Sequence, residues 1–156
     1  NDVTLEDIAR IADVFYIGGT KVGAMFGEAV VFTHGNMPKH FVTIVKQHGA
    51  LLAKGWLLGV QFDTLFTDDL YCRIARHAND AADRIREVLV ERGYTLTFDA
   101  PTNQIFITLD NATSERLQRN VRLGFMEKAD DTHTVMRICT SWATTDEQVE
   151  QLIALL

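Results

Sequence analysis

The chain has 156 residues, of which 47% are hydrophobic and 23% charged, a composition typical of one globular domain of ordinary size. Its formal net charge of −6 argues against a nucleic-acid-binding protein, because such proteins usually carry a basic patch. We find no uncharged apolar run of about 18 residues and no signal peptide, so we expect no membrane span and a cytoplasmic location. Two cysteines, Cys72 and Cys139, do not make a disulfide framework, and we expect buried thiols.

The first part of the chain is predicted to form a short helix and two buried strands. Thr4 can cap the helix, because a threonine hydroxyl accepts hydrogen bonds from the first backbone N–H groups. The apolar runs at residues 14–17 and 27–32 lack alternation, which indicates strands covered on both faces. Asn1 begins the sequence abruptly, and we therefore expect a C-terminal piece of a longer protein.

Residues 38–66 are predicted to be one long, mostly helical stretch, because apolar side chains recur there at helical spacing. Gly49, Gly55 and Gly59 are unusual in this position, since each weakens a helix by about 1 kcal/mol relative to alanine. Their presence predicts that another backbone or a ligand packs closely against this stretch.

The remainder of the chain is predicted to be a compact α+β unit with an antiparallel sheet and helices on one face. Its first helix has one apolar stripe and ends at Gly93. Its last helix begins with a capping box formed by Thr145 and Gln148. Between these helices we expect strands at 94–98, 104–109, near Phe125 and at 133–140, and a helix at 114–123.

A single lysine, Lys21, lies in the glycine-rich turn GGTKVG between two apolar runs. Desolvation favours the neutral amine, which is a nucleophile that can condense with an aldehyde such as pyridoxal phosphate. Thr20 could offer its hydroxyl to the phosphate group, and Gly19 would allow a flat ligand to approach closely. The alternative is a solvated lysine in an ordinary turn. The spacing does not match a phosphate-binding P-loop.

The segment DVFYIGGTKVGAMFGEAVVF, residues 13–32, resembles the cofactor-lysine segment of the threonine aldolases, members of the β-eliminating lyase group of fold-type I pyridoxal-phosphate enzymes. The resemblance continues through residues 46–62 and into the C-terminal unit. It implies an α/β fold in three parts. Residues 1–38 would be the end of the large cofactor-binding domain, 39–69 a connecting helical segment, and 70–156 the small α+β domain.

The resemblance also implies roles for individual residues. Lys21 would hold the coenzyme as an internal aldimine, with Thr20 and Gly19 beside it. Arg137 would bind the α-carboxylate of the substrate through its planar fork, whereas the alternative is a surface arginine on an edge strand. Lys54 could reach a phosphate across a subunit interface, or could be solvated. We expect no catalytic metal, because no pair of histidines has metal-ligand spacing with a carboxylate.

The activity implied by the resemblance is retro-aldol cleavage of β-hydroxy-α-amino acids, with threonine giving glycine and acetaldehyde, in a homodimer or homotetramer. The catalytic base, the ring-stacking group and the partner of the pyridine nitrogen would precede Asn1, so we expect the chain to need the missing N-terminal half of the same protein and to be inactive alone. Two alternatives stay open. One is another fold-type I enzyme, an aminotransferase or a β-eliminating lyase, and the other is a non-catalytic interaction domain.

Overall fold

The computed structural model describes residues 3–156, so Asn1, where the sequence starts, lies outside the described residues. The first helix is α1 (Leu5–Ile11). Thr4 caps α1, as predicted. The backbone N–H of Asp7 donates to the Thr4 hydroxyl at 3.2 Å, and the Thr4 backbone N–H donates to the Asp7 carboxylate at 2.9 Å. The hydrogen bond from the Thr4 backbone is the main reason that the pKa of Asp7 lies below its usual value.

Strands β1 (Val14–Gly18) and β2 (Glu28–Phe32) follow where the apolar runs predicted them, and they pair antiparallel as a two-stranded sheet. Alternate side chains on this hairpin are exposed, among them Tyr16 and Val30. The prediction that both faces are covered is therefore wrong for the described part of the chain. A hairpin of two strands is marginally stable in water, so an exposed apolar face calls for a covering element.

The predicted long helix over residues 38–66 is wrong, because the chain forms two helices instead, α2 (Phe41–Gln47) and α3 (Trp56–Phe66). Gly49 has a φ of 69°, a left-handed conformation that turns the chain out of α2. The expected close packing against the glycines is also missing at two positions. Apart from chain neighbours and the backbone of the same helix, no atom among the described residues lies within 4 Å of the place where a Cβ at Gly49 or Gly59 would stand.

Helix α4 (Leu70–Glu91) leads into the second half of the chain, and it ends just before Gly93, as predicted. The structure divides into two compact units between Tyr71 and Cys72. The functional assignment of residues 1–38, 39–69 and 70–156 to three parts stays a prediction. Within residues 3–156, no helix combines the length and the apolar character that a membrane crossing requires.

The second unit is built on a four-stranded antiparallel sheet with strand order β3-β4-β6-β5. Its remaining elements are β3 (Thr95–Leu96), β4 (Gln104–Asp110), α5 (Asn111–Gln118), β5 (Gly124–Lys128), β6 (His133–Cys139) and α6 (Asp146–Leu155). The predicted capping box of α6 is confirmed, since Thr145 and Gln148 hydrogen-bond each other reciprocally.

One face of this sheet is buried against helices α4, α5 and α6, which confirms the predicted α+β arrangement. Alternate residues of β4 and β6 pack with side chains from all three helices in one hydrophobic core. The core includes Ile105, Ile107, Leu109, Met136, Ile138, Ile85, Leu89, Leu117 and Val149. Because strand side chains alternate between faces, the residues between these core positions point to the opposite face of the sheet.

Both cysteines are exposed, so the expectation of buried thiols is wrong. Cys139 is the last residue of β6 and follows the core residue Ile138, so that it lies where the strand leaves the core.

Shortening Ile107, which is fully buried in β4, is expected to destabilise the second unit. Ile107→Ala should cost about 2–5 kcal/mol because it removes apolar contacts and leaves a cavity, whereas Ile107→Val should cost about 0.5–1.5 kcal/mol. Amide hydrogen exchange of β4 and β6 in the full-length protein measures this local stability. Equal exchange in the two variants would contradict the assignment of Ile107 to the core.

Candidate functional site

The turn that carries Lys21 is a single tight 3₁₀ turn, Thr20–Val22, which follows β1. The carbonyl oxygen of Gly19 accepts two hydrogen bonds, from the backbone N–H of Val22 at 3.1 Å and of Ala24 at 2.9 Å. Val22 is buried and anchors the turn, whereas its neighbour Lys21 is exposed. The backbone therefore presents the lysine amine outward from a fixed turn.

Gly19 is required by the packing of this turn. A Cβ at Gly19 would stand 2.7 Å from the Cβ of Ala24, which is too close, and 3.1 Å from Cζ of Phe62, which is a tight contact. Gly18 is different, because an added Cβ there would meet no atom within 4 Å. The predicted use of Gly19, close approach of a flat ligand, thus competes with the side chains that already fill this space.

Helix α3 holds the turn in place through a side chain that sequence reasoning missed. Gln61 accepts a hydrogen bond from the backbone N–H of Met25 at 2.7 Å and donates to the carbonyl oxygen of Phe26 at 3.4 Å. These contacts join residues separated by 35 or 36 positions in the chain. No local sequence pattern predicts these hydrogen bonds, because a glutamine on a helix is ordinarily solvated.

The described residues do not provide the apolar, water-excluding environment that was expected around the Lys21 amine. Its amine makes no hydrogen bond or ion pair within residues 3–156, and three apolar side chains near it in sequence are exposed: Tyr16 by 70%, Met25 by 84% and Phe26 by 40%. Phe15 and Ile17 are only half-buried. Burial of the amine would need protein or ligand beyond this chain, and the role of Lys21 stays a prediction.

The other two cofactor-binding candidates of the first unit are also exposed. Thr20 begins the 3₁₀ turn next to Lys21. Lys54 lies in the turn before α3 rather than within a helix, and its carbonyl oxygen accepts from the backbone N–H of Leu57 at 3.0 Å. Both side chains are therefore available to a ligand, but neither is oriented by a neighbouring residue in the described part of the chain.

Arg137 lies on β6, which is paired on both sides, with β4 and with β5. The alternative of an arginine on an edge strand is therefore wrong. Arg137 is opposite Phe106 on β4 and Gly124 on β5, and it belongs to the face of the sheet that the core helices leave uncovered. Its side chain is half-buried.

The guanidinium of Arg137 is only partly satisfied. Its Nη1 donates to Oε1 of Gln104 at 3.0 Å. Its Nε is buried and has no acceptor among the described residues. An unsatisfied buried donor costs about 1–3 kcal/mol, and more when it is charged. Nη2 also has no acceptor among the described residues but is not fully buried, so it is the nitrogen that a ligand can reach.

A cavity of about 300 Å³ in the second unit is lined in large part by residues of the hydrophobic core, among them Ile85, Ile138, Val149 and Leu152. Arg137 also borders this cavity, but its side chain belongs to the opposite face of the sheet. The cavity therefore does not define a binding site at the guanidinium. Sequence reasoning predicted Arg137 as a candidate but missed its contact with Gln104.

The carboxylates with shifted pKa values in the second unit serve turns and caps. Hydrogen bonds from the side chain and backbone of Thr132, and then from His133, hold the pKa of Asp130 far below its usual value. A hydrogen bond from the backbone N–H of Thr113 lowers the pKa of Asp110, which caps α5. Within residues 3–156, no group of three or more His, Cys, Asp or Glu residues is arranged to hold a metal ion.

Comparison with known sequences relates the chain to the threonine aldolases, although no protein-family model matches it. Two curated relatives, from Pseudomonas aeruginosa and from a Pseudomonas species, are each named low specificity L-threonine aldolase. Both are 30% identical to the chain, over 141 and 143 residues, which is 90% and 91% of the chain. The chain spans only 40% of the length of either relative.

Comparison with solved structures agrees. Leishmania major threonine aldolase superposes with a TM-score of 0.94 at 39% identity, over 99% of this chain and 45% of that one. Sphingomonas wittichii serine palmitoyltransferase has a TM-score of 0.62 at 19% identity, over 92% and 38%, and shares the fold. These matches confirm the predicted resemblance to the threonine aldolases and the predicted fold class, which the chain shares with part of each of these structures.

Substituting Gly19 and Gly18 one at a time tests whether packing requires a glycine at position 19 but not at position 18. Gly19→Ala should displace the 3₁₀ turn and cost about 1–3 kcal/mol, because the new methyl group overlaps Ala24. Gly18→Ala is the matched control and should leave the turn intact. Amide hydrogen exchange of Val22 and Ala24, which donate to Gly19, reports the result. Equal exchange in both variants would contradict the packing role of Gly19.

Proposed function

We propose that this chain is the C-terminal part of a pyridoxal-phosphate-dependent lyase that cleaves β-hydroxy-α-amino acids, with threonine giving glycine and acetaldehyde. The observation that carries the proposal is the match to Leishmania major threonine aldolase, 39% identical over 99% of the chain. The chain spans 45% of that structure, and the remainder of the enzyme would supply the groups that these 156 residues do not contain.

The residues of the first unit fit an aldehyde coenzyme. The amine of Lys21 is exposed, stands on a fixed turn and has no acidic partner within residues 3–156, so that it is available to an aldehyde. The hydroxyl of Thr20 is exposed next to it and could donate to a phosphate. When bound, pyridoxal phosphate supplies an aldehyde and a ring that accepts electrons from a breaking bond.

Arg137 would fix the substrate by its α-carboxylate. Its guanidinium lies on the uncovered face of the sheet, donates through Nη1 to a neutral glutamine and has no acidic partner among the described residues. Holding the carboxylate orients the Cα–Cβ bond for cleavage, since catalysis by positioning needs the reacting bond in one geometry. The group that removes the β-hydroxyl proton is expected in the part of the protein that precedes this chain.

Assembly and location stay predictions from the resemblance: a homodimer or homotetramer in the cytoplasm, with Lys54 contacting a phosphate across the interface. The exposed apolar residues of the connecting segment support a covered surface there, because isolated proteins rarely leave such patches open. They include Val42, Leu51, Leu52, Trp56 and Val60. The remainder of the same protein and a second subunit are the proposed coverings.

Replacing Lys21 tests the proposed attachment of the coenzyme. In the full-length protein, Lys21→Ala should abolish the covalent adduct that borohydride reduction traps, and should lower kcat for threonine by roughly 10³-fold or more, as loss of a covalent catalytic group does. Lys128→Ala, an exposed lysine on β5, is the matched control. Peptide mass spectrometry locates the adduct, and acetaldehyde release measures turnover. An adduct on another lysine with undiminished turnover would refute the assignment, whereas keto-acid formation would indicate an aminotransferase.

Replacing Arg137 tests the proposed carboxylate site. Arg137→Lys keeps the charge but loses the planar fork, so KM for threonine should rise by roughly 10–100-fold, corresponding to the loss of one charge-assisted hydrogen bond. Arg119→Lys, at the exposed end of α5, is the control. Steady-state kinetics of acetaldehyde release measure both variants. If KM for Arg137→Lys equals that of the wild type, Arg137 does not bind the carboxylate.

A further inference from the structure

We propose that Gln104 is a positioning residue that sets the orientation of the Arg137 guanidinium, and thereby presents its Nη2 to a ligand with a free α-carboxylate. This inference rests on the proposed function. Gln104 itself would not touch the reacting atoms. It would act through the hydrogen bond from Nη1 of Arg137 to its Oε1, which is 3.0 Å long and partly buried.

The sheet register places the two side chains within reach of each other. Gln104 lies opposite Cys139, and Arg137 lies opposite Phe106, so that Gln104 and Arg137 are diagonal neighbours on the same face of the β4–β6 pair. Diagonal neighbours on adjacent strands lie close enough for long side chains to meet. The contact is therefore produced by the strand pairing, not by a flexible loop.

The backbone that carries Gln104 is held firmly. Its neighbour Asn103 accepts a hydrogen bond from the backbone N–H of Thr140 at 3.0 Å and donates through Nδ2 to the carbonyl oxygen of Thr140 at 2.7 Å. The buried hydroxyl of Thr140 donates in turn to the carbonyl oxygen of Ala78 in α4 at 2.6 Å. This chain of contacts ties the start of β4 to the helix layer and limits the movement of Gln104.

The chemistry of an amide suits a positioning role better than that of a carboxylate. Glutamine offers a neutral acceptor, so it holds Nη1 without cancelling the positive charge of the guanidinium. The other edge of the fork, Nε and Nη2, has no acceptor among the described residues, and Nε is buried beside β5. A Cβ at Gly124 would stand 3.6 Å from Nε, so this strand closes one side of the fork.

A carboxylate oxygen can bind at Nη2, which has no acceptor among the described residues and, unlike Nε, is not fully buried. Fixing Nη1 on Gln104 removes the rotation that would otherwise turn Nη2 away. Amino alcohols and amino esters lack the planar anion and should gain nothing from the arrangement. The selected class is thus the free α-amino acid.

The test uses the full-length enzyme loaded with pyridoxal phosphate. Gln104→Met keeps the length of the side chain and removes the acceptor, and we expect KM for threonine to rise about tenfold while kcat stays within about twofold. Gln104→Glu adds a carboxylate that competes with the substrate for Arg137, and should raise KM further. Thr108→Val, on the same face of β4 and bonded to Thr97, controls for damage to the strand.

A double-mutant cycle shows whether Gln104 acts through Arg137. In the Arg137→Lys background, Gln104→Met should change KM by less than about twofold, because the guanidinium that Gln104 orients is already gone. Full additivity of the two effects, or a KM for Gln104→Met equal to that of the wild type, would overturn the inference. Failure of the proposed function looks different, since the wild-type enzyme would then lack an adduct on Lys21 and release no acetaldehyde from threonine.

Discussion

The pairing of β4 with β6 is the interaction on which the second unit depends. Its register brings Ile105 and Ile107 opposite Ile138 and Met136, and these side chains form the part of the hydrophobic core that the sheet contributes. Because side chains alternate along a strand, the same register puts Arg137 on the uncovered face. One set of backbone hydrogen bonds therefore decides both where the core lies and where the arginine is presented.

The first unit uses a different constraint, the close packing of a turn against a helix. Gly19 leaves room for Ala24 and for Phe62 of α3, while Gln61 of the same helix holds the backbone of Met25. These contacts fix the 3₁₀ turn without burying Lys21. The amine is positioned by this chain, whereas the apolar cover that would desolvate it must come from elsewhere. The turn in this chain therefore sets the position of Lys21, but it does not set how well the amine is shielded from water.

Local signals were sufficient for much of the secondary structure. The capping boxes at Thr4 and Thr145 and the stop at Gly93 depend on residues within one helical turn, and the sequence contains all of their partners. The two apolar runs around Lys21 predicted β1 and β2 for the same reason. The long helix over residues 38–66 failed because apolar periodicity continued across Gly49, whose left-handed φ ends α2.

The sequence by itself determined most of the elements and the α+β character of the second unit, and it singled out Lys21 and Arg137 as candidates, since periodicity, caps and short motifs are local properties. Tertiary structure alone decided that Arg137 is on an inner strand, that Gln104 holds its Nη1, and that Lys21 is exposed in residues 3–156. Those facts depend on contacts between residues far apart in the chain. Such contacts follow from strand register and packing, and no local sequence pattern predicts either.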